Sequence, residues 1–241
     1  MFLALQTTQL NHSFSKEEPI LQDLNLAVPQ GSIYGFLGPN GAGKTTTLKL
    51  VLGLLRSQQG EISILGRSLA TDRINILRRI GSLIEMPSFY GHLTAAENLE
   101  TWRLLYQCPQ SRIKEVLDLV GLSKTNNKPS RKFSLGMKQR LGIAAAILHR
   151  PEFLILDEPT NGLDPNGMIE IRQLLQTLNR EEKMTILISS HLLSEIARLV
   201  THVGIINRGR LVFQDTLPTL LEKKKEATDD LETIFMNIIN S

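Results

Sequence analysis

The sequence predicts an α/β fold organised on a mainly parallel sheet, and three observations predict it. Short apolar runs of strand character alternate with amphipathic helical runs along most of the chain. A glycine-rich stretch over residues 38–46 stands between an apolar run and a helical one. A second apolar run, 153–156, ends in Asp157 and Glu158, so that a strand would deliver two acids to the edge where parallel sheets bind ligands.

Taken in order, Leu24, Leu26 and Val28 alternate with polar or small neighbours, and residues 29–31 supply a turn. Residues 32–37 read as a short apolar strand, followed by the glycine-rich loop and a helix from Lys44 to about Leu55. A strand over 61–65, a short helix near 72–78 and a strand over 80–84 come next. From residue 87 to residue 150 the pattern turns helical and reads as an added subdomain. Leu99, Trp102 and Tyr106 share one face there, as do Ile113, Val116, Leu117 and Val120, with Gly121 as the stop. Both stripes are expected to face the core. After the strand at 153–156, Asp164 is expected to cap a helix with Pro165 in its first turn. That helix would turn Met168, Ile171, Leu174, Leu175 and Leu178 inward. A strand over 185–189, a helix over 192–199 and a hairpin at about 207–209 complete the alternation. The tail, 217–241, carries Lys223–Lys225, Asp229 and Asp230 and reads as a solvated terminal helix.

With 241 residues, 41% of them hydrophobic, the chain can bury the core of one large domain. Its 27 basic and 24 acidic residues leave a net charge of +3, too small an excess for a nucleic-acid surface, so no nucleic-acid partner is expected. A single cysteine, Cys108, excludes an internal disulfide framework and fits a reducing compartment. The start, MFLALQTTQL, lacks the basic segment and long apolar run of a signal peptide. The longest apolar runs are too short to span a bilayer, so membrane work would require another chain.

The chemistry concentrates in three stretches. In Gly38-Pro39-Asn40-Gly41-Ala42-Gly43-Lys44-Thr45-Thr46 the glycines let backbone amides turn toward phosphate oxygens, and the following helix presents its positive end. Lys44 would reach the β- and γ-phosphates of a nucleotide, and the Thr45 hydroxyl would ligate Mg²⁺. The minimal pattern arises by chance in roughly one chain in a hundred of this length. Here it also sits between a strand and a helix, the context that a phosphate loop requires. At the end of the apolar strand, Asp157 suits the water shell of Mg²⁺, and Glu158 can polarise an attacking water as general base. Alone, such a strand end is common. Beside a phosphate loop it points to hydrolysis. In Phe133-Ser134-Leu135-Gly136-Met137-Lys138-Gln139-Arg140, Ser134 can cap the next helix and its amides suit a phosphate, although a serine before a helix is as a rule only a cap.

In this order the three stretches resemble the ATP-binding subunits of ABC transporters across nearly the whole chain. Asn161-Gly162-Leu163-Asp164-Pro165 and the Ser190-His191 pair extend the match. The resemblance implies a P-loop nucleotidase fold of the ABC type, an N-terminal antiparallel β subdomain, an ATP-binding domain over 1–216 with a helical part at about 87–150, and a helical tail over 217–241. ATP and Mg²⁺ follow as cofactors. The resemblance also implies a head-to-tail dimer with a second copy or a related ATPase, in which one subunit's phosphate loop faces the other's Ser134 and Gly136. Asp164 would couple the two sites and His191 would contact the γ-phosphate. Phe14 falls where the family stacks an aromatic ring, commonly tyrosine, on adenine, and a core aromatic is the competing reading.

Glu85 departs from the common pattern, since most ABC domains carry glutamine there. A carboxylate can still ligate Mg²⁺, but it adds charge beside the phosphates and would alter coupling; a solvated loop carboxylate is the alternative. Its surroundings, Leu83-Ile84-Glu85-Met86-Pro87-Ser88-Phe89-Tyr90 and Leu93-Thr94-Ala95-Ala96-Glu97-Asn98-Leu99, are similar to the ATPases of lantibiotic-protection and bacitracin-resistance transporters. Those share this glutamate and the S-L-G-M-K-Q-R form of the signature. The resemblance thus implies an exporter motor at the cytoplasmic face of the membrane, joined to two separate permease subunits. The motor of a transporter for another substrate and a soluble ABC ATPase are the alternatives. The latter type usually carries paired domains, long insertions or zinc cysteines.

Overall fold

The structure, a computed structural model, describes residues 2–15, 18–85, 88–223 and 230–240. The chain forms two units, one of residues 1–77 with 185–241 and one of residues 78–184. The first contains β1 (Leu3–Ser13), β2 (Pro19–Leu24), β3 (Ala27–Pro29), β4 (Ile33–Leu37), α1 (Lys44–Val51), β5 (Gln59–Ile64), β6 (Arg67–Ser68) and α2 (Leu69–Leu77). The second contains β7 (Ile80–Leu83), α3 (Ala95–Tyr106), α4 (Ser111–Leu119), α5 (Leu135–Ile147), β8 (Phe153–Asp157) and α6 (Pro165–Arg180). The chain then returns to the first unit through β9 (Thr185–Ser190), α7 (Leu193–Ile196), β10 (His202–Asn207), β11 (Arg210–Thr216), α8 (Leu217–Leu221) and α9 (Leu231–Asn240).

In the first unit, β1 pairs antiparallel with β2, β3 and β5, and β5 with β6. The alternation of the N-terminal sequence works as an antiparallel strand requires, with Leu5, Leu10, Leu24, Val28 and Ile64 buried and polar neighbours turned out. A second sheet runs β11-β10-β4-β9; β4 is parallel to both β10 and β9, and β11 closes an antiparallel hairpin. Every residue of β4 and β9 is buried, which is why Ile33–Leu37 and, within β9, Ile186, Leu187 and Ile188 show no polar alternation. The hairpin turns at Arg208 and Gly209, as the sequence indicates.

In the second unit β7 and β8 are parallel, with Leu83 opposite Leu156. Helix α4 buries Ile113, Val116 and Leu117 and ends before Gly121 at φ 67°. Helix α6 begins as expected: Asp164 Oδ1 accepts the Gly167 amide at 2.9 Å and Pro165 occupies the first turn. It buries Ile171, Leu174, Leu175 and Leu178, while Met168 is half-buried.

Four expectations need correction. The helix after the glycine-rich loop stops at Val51 rather than near Leu55, because Gly53 turns left-handed at φ 64°. The helix drawn over 192–199 spans only Leu193–Ile196. Trp102 and Tyr106 do not join Leu99 in the core: Leu99 is 0% exposed, but Trp102 is 38% and Tyr106 37% exposed. Their rings stack at 6.3 Å, and Tyr106 stacks on His149 at 4.3 Å, so this face of α3 ends in an aromatic wall. The wall borders a cavity of about 190 Å³ that Phe89 and Ala146 also line. Finally, the tail is not simply solvated. Helix α9 buries Ile234 and Phe235, and Asn207 Nδ2 donates to the Ile239 carbonyl at 2.9 Å. Met86 and Pro87, and within the tail Lys224, Lys225 and Asp229, lie outside the described residues. No helix among the described residues is long and apolar enough to cross a membrane.

Candidate functional site

The glycine-rich loop leaves the carboxyl end of β4 and opens α1. Gly38 must be glycine because a Cβ there would run into the Ile206 carbonyl oxygen. Its amide donates to the Ser190 carbonyl at 3.3 Å, tying the start of the loop to the end of β9, one residue before His191. Gly43, the residue before α1, stands at φ 108°, where an added Cβ would lie 2.7 Å from Leu21 Cδ2. Gly41 is left-handed too, at φ 79°, but faces open space. Lys44 is buried, and its Nζ donates to the carbonyls of Gly38 (2.7 Å) and Pro39 (3.2 Å), so the ammonium is wrapped by its own loop. Thr45 and Thr46 are half-buried at the start of α1; Pro39 is half-buried, Asn40 exposed and Ala42 buried. A loop that wraps an ammonium at the positive end of a helix is chemically matched to a polyphosphate.

Phe14 follows β1 and is 68% exposed, which removes the core reading for its ring. It meets the ring of buried His12 edge-on at 5.0 Å. His191, also in the first unit, is half-buried just beyond β9.

The second unit carries the remaining candidates. Asp157 is the last residue of β8 and 8% exposed; Glu158 follows at φ 46°, half-buried. Glu85 leaves the neighbouring strand β7 at the same, carboxyl end, exposed and left-handed at φ 64°. Thr45, Asp157 and Glu85 offer hard oxygen donors of the kind Mg²⁺ prefers. Ser134 is the cap of α5: its Oγ accepts the Met137 amide at 3.3 Å. Gly136 lies in the first turn of α5 with space for a Cβ, 3.8 Å from Leu163 Cδ2. Asp164 is exposed and engaged as the cap of α6.

One contact was missed by the sequence reading. Asn161 Nδ2 donates to Glu158 Oε2 at 3.0 Å, and the Asn161 amide donates to the Glu158 carbonyl at 3.1 Å. An asparagine three residues after the acid and directly before a glycine is the only trace of it in the sequence.

Comparison with known proteins bears on the family of the chain. Residues 21–161 match the family model described as ABC transporter. The chain is 52% identical over 213 residues to the bacitracin transport ATP-binding protein BcrA of Bacillus licheniformis, covering 88% of this chain and 69% of that protein. It is 40% identical over 235 residues to the lantibiotic transport ATP-binding protein SrtF of Streptococcus pyogenes, covering 98% and 97%. Among solved structures, it is similar to the dimeric post-hydrolysis state of an ATP-binding cassette bound to ADP and Pi. That match has a TM-score of 0.77 and 26% identity, over 88% of this chain and 98% of the other.

Proposed function

This chain belongs to the ABC transporter family, and from that membership we propose that it is the ATP-binding and ATP-hydrolysing subunit of an exporter that protects against peptide antibiotics of the bacitracin or lantibiotic kind. The observation that carries the ATP assignment is the loop: Gly43 stands at φ 108°, where a side chain is strained, and the buried Lys44 ammonium is held by the loop's carbonyls. The antibiotic assignment is supported by the names of the relatives at 52% and 40% identity and by the glutamate at position 85. The ATP-binding domain is taken as residues 1–216, with its helical part at about 87–150 and the tail at 217–241.

In this reading the amides of residues 41–46 and Lys44 hold the β- and γ-phosphates, and Phe14 stacks on the adenine. Thr45, Asp157 and Glu85 are the residues that would hold Mg²⁺, which when bound neutralises charge on the phosphates. No group of three or more His, Cys, Asp or Glu side chains among the described residues could cage a metal, and a metal arriving with the nucleotide needs none. Glu158 takes a proton from water while the water oxygen bonds to the γ-phosphorus. The bond from that phosphorus to the bridging oxygen breaks, and ADP leaves with the electron pair. His191 contacts the γ-phosphate. Two copies, or one copy and a related ATPase, close head to tail, so that Ser134 and Gly136 of one cover the nucleotide on the other. Asp164 couples the two sites across the pair, Glu85 relays the closure to two separate permeases, and the chain works at the cytoplasmic face of the membrane.

The decisive variant is Glu158→Gln, which keeps the shape and loses the base. It should bind ATP with parental affinity, accumulate as a dimer on gel filtration with Mg-ATP, and lose steady-state phosphate release by at least about 100-fold. Parental turnover in this variant would remove Glu158 from the role.

A further inference from the structure

We propose that Asn161 is a positioning residue for hydrolysis: its side-chain amide holds the Glu158 carboxylate in the orientation from which it receives the water's proton. The inference rests on the assignment of Glu158 as the base.

A glutamate side chain has three rotatable bonds, and leaving it unrestrained on a half-exposed turn costs a reaction that needs atoms aligned within fractions of an ångström. Glu158 sits on such a turn, between the end of β8 and the start of α6, with its backbone at φ 46°. Asn161 reaches the same residue twice, at the backbone carbonyl (3.1 Å) and at Oε2 (3.0 Å). An amide donor on a carboxylate forms a charge-assisted hydrogen bond, stronger and more directional than a neutral one.

The segment that carries Asn161 is itself fixed. The Leu163 amide donates to the Thr160 carbonyl at 3.2 Å, Gly162 turns at φ 73°, and Asp164 is anchored as the cap of α6. Leu163 is buried, and a Cβ added to Gly162 would lie 3.2 Å from Leu135 Cδ2. The residue that grips the base is therefore backed by the start of α5, the helix opened by the signature stretch. An aspartate at 161 would keep the size and shape but would set a second carboxylate against Glu158. An alanine would remove the donor without adding charge.

The two substitutions separate grip from packing. With the full chain, N161A should lower kcat about tenfold, and N161D at least as much, with KM for ATP and melting temperature unchanged. Both variants should also accumulate the ATP-bound dimer on gel filtration, because hydrolysis and not binding is slowed. If packing were the role, the isosteric N161D would be the milder change. An N161D rate above that of N161A overturns the proposal, as does a loss that KM or melting temperature follows. Retained turnover in E158Q would bring down the base assignment instead. An inactive E158Q beside a near-parental N161D would bring down this inference alone.

Discussion

At Gly43 two constraints coincide in one residue. The backbone at φ 108° lies where a side chain is strained, and the space a Cβ would fill is held by Leu21 Cδ2 at 2.7 Å and the Ile20 carbonyl at 3.2 Å. Relief by backbone rotation would swing the following amides away from any bound phosphate. Gly43→Ala should therefore weaken binding of a fluorescent ATP analogue by at least about tenfold, with only about 1–2 kcal/mol lost from stability. Parental affinity would mean that the amides of this turn do not hold the phosphates. Such residues were legible in the sequence because residue type alone reports the constraint: a glycine, a lysine and a threonine at fixed spacing have few other uses. The grip of Asn161 on Glu158 was not legible. It depends on Glu158 adopting φ 46°, and nothing in the residue types demands that conformation.

Among the elements, α4 and α6 were readable because their buried positions recur at the helical period. Helix α3 shows where that reasoning stops. Trp102 and Tyr106 keep the period of Leu99, yet they form a half-exposed aromatic wall with His149. Periodicity reports which face a residue shares and not what covers it, and large amphipathic rings tolerate either surrounding. The packing at His149 has a measurable consequence. Its Nε2 lies 3.0 Å from the Ile80 carbonyl, which can only accept, so Nε2 carries the proton of a neutral ring. Burial pushes the imidazole below its usual 6.5; the bond to Ile80 works against this, and the Arg112 charge adds to it. Above about pH 6.5 the ring is neutral in both folded and unfolded chains and stability is unaffected. As pH falls below that value the unfolded chain takes up the proton first, and stability drops until the folded ring titrates too. His149→Gln can keep a donor to Ile80 without titrating. The melting-temperature difference between parent and variant should thus shrink or reverse as pH falls from about 7 to about 5. A difference independent of pH would show that the ring is not held neutral by its packing.

For the whole molecule, the order of the motifs along the chain was readable, and how they complete a site was not. A phosphate loop and a signature helix on one sequence do not reveal whether they serve the same nucleotide or two nucleotides in a pair of chains. Complementation between inactive variants can decide this. Lys44→Ala removes the ammonium wrapped by the loop, and Gly136→Asp sets a negative charge at the start of α5. The structure leaves room there, with the nearest atom 3.8 Å from the added Cβ, and an acid in a first helical turn is not destabilising. Each variant alone spoils both sites of a head-to-tail pair. In a mixed pair, one site combines the mutated loop with the mutated signature, and the other combines an intact loop with an intact signature. Random mixing makes half of the dimers mixed, each with one good site of two. Activity should therefore recover to about a quarter of parental, provided a single site can turn over within the closed pair. If both elements served a nucleotide within one chain, every subunit in the mixture would carry a defect and no activity would return. Recovery on mixing, with neither variant active alone, is an outcome that only sites shared between two copies can produce.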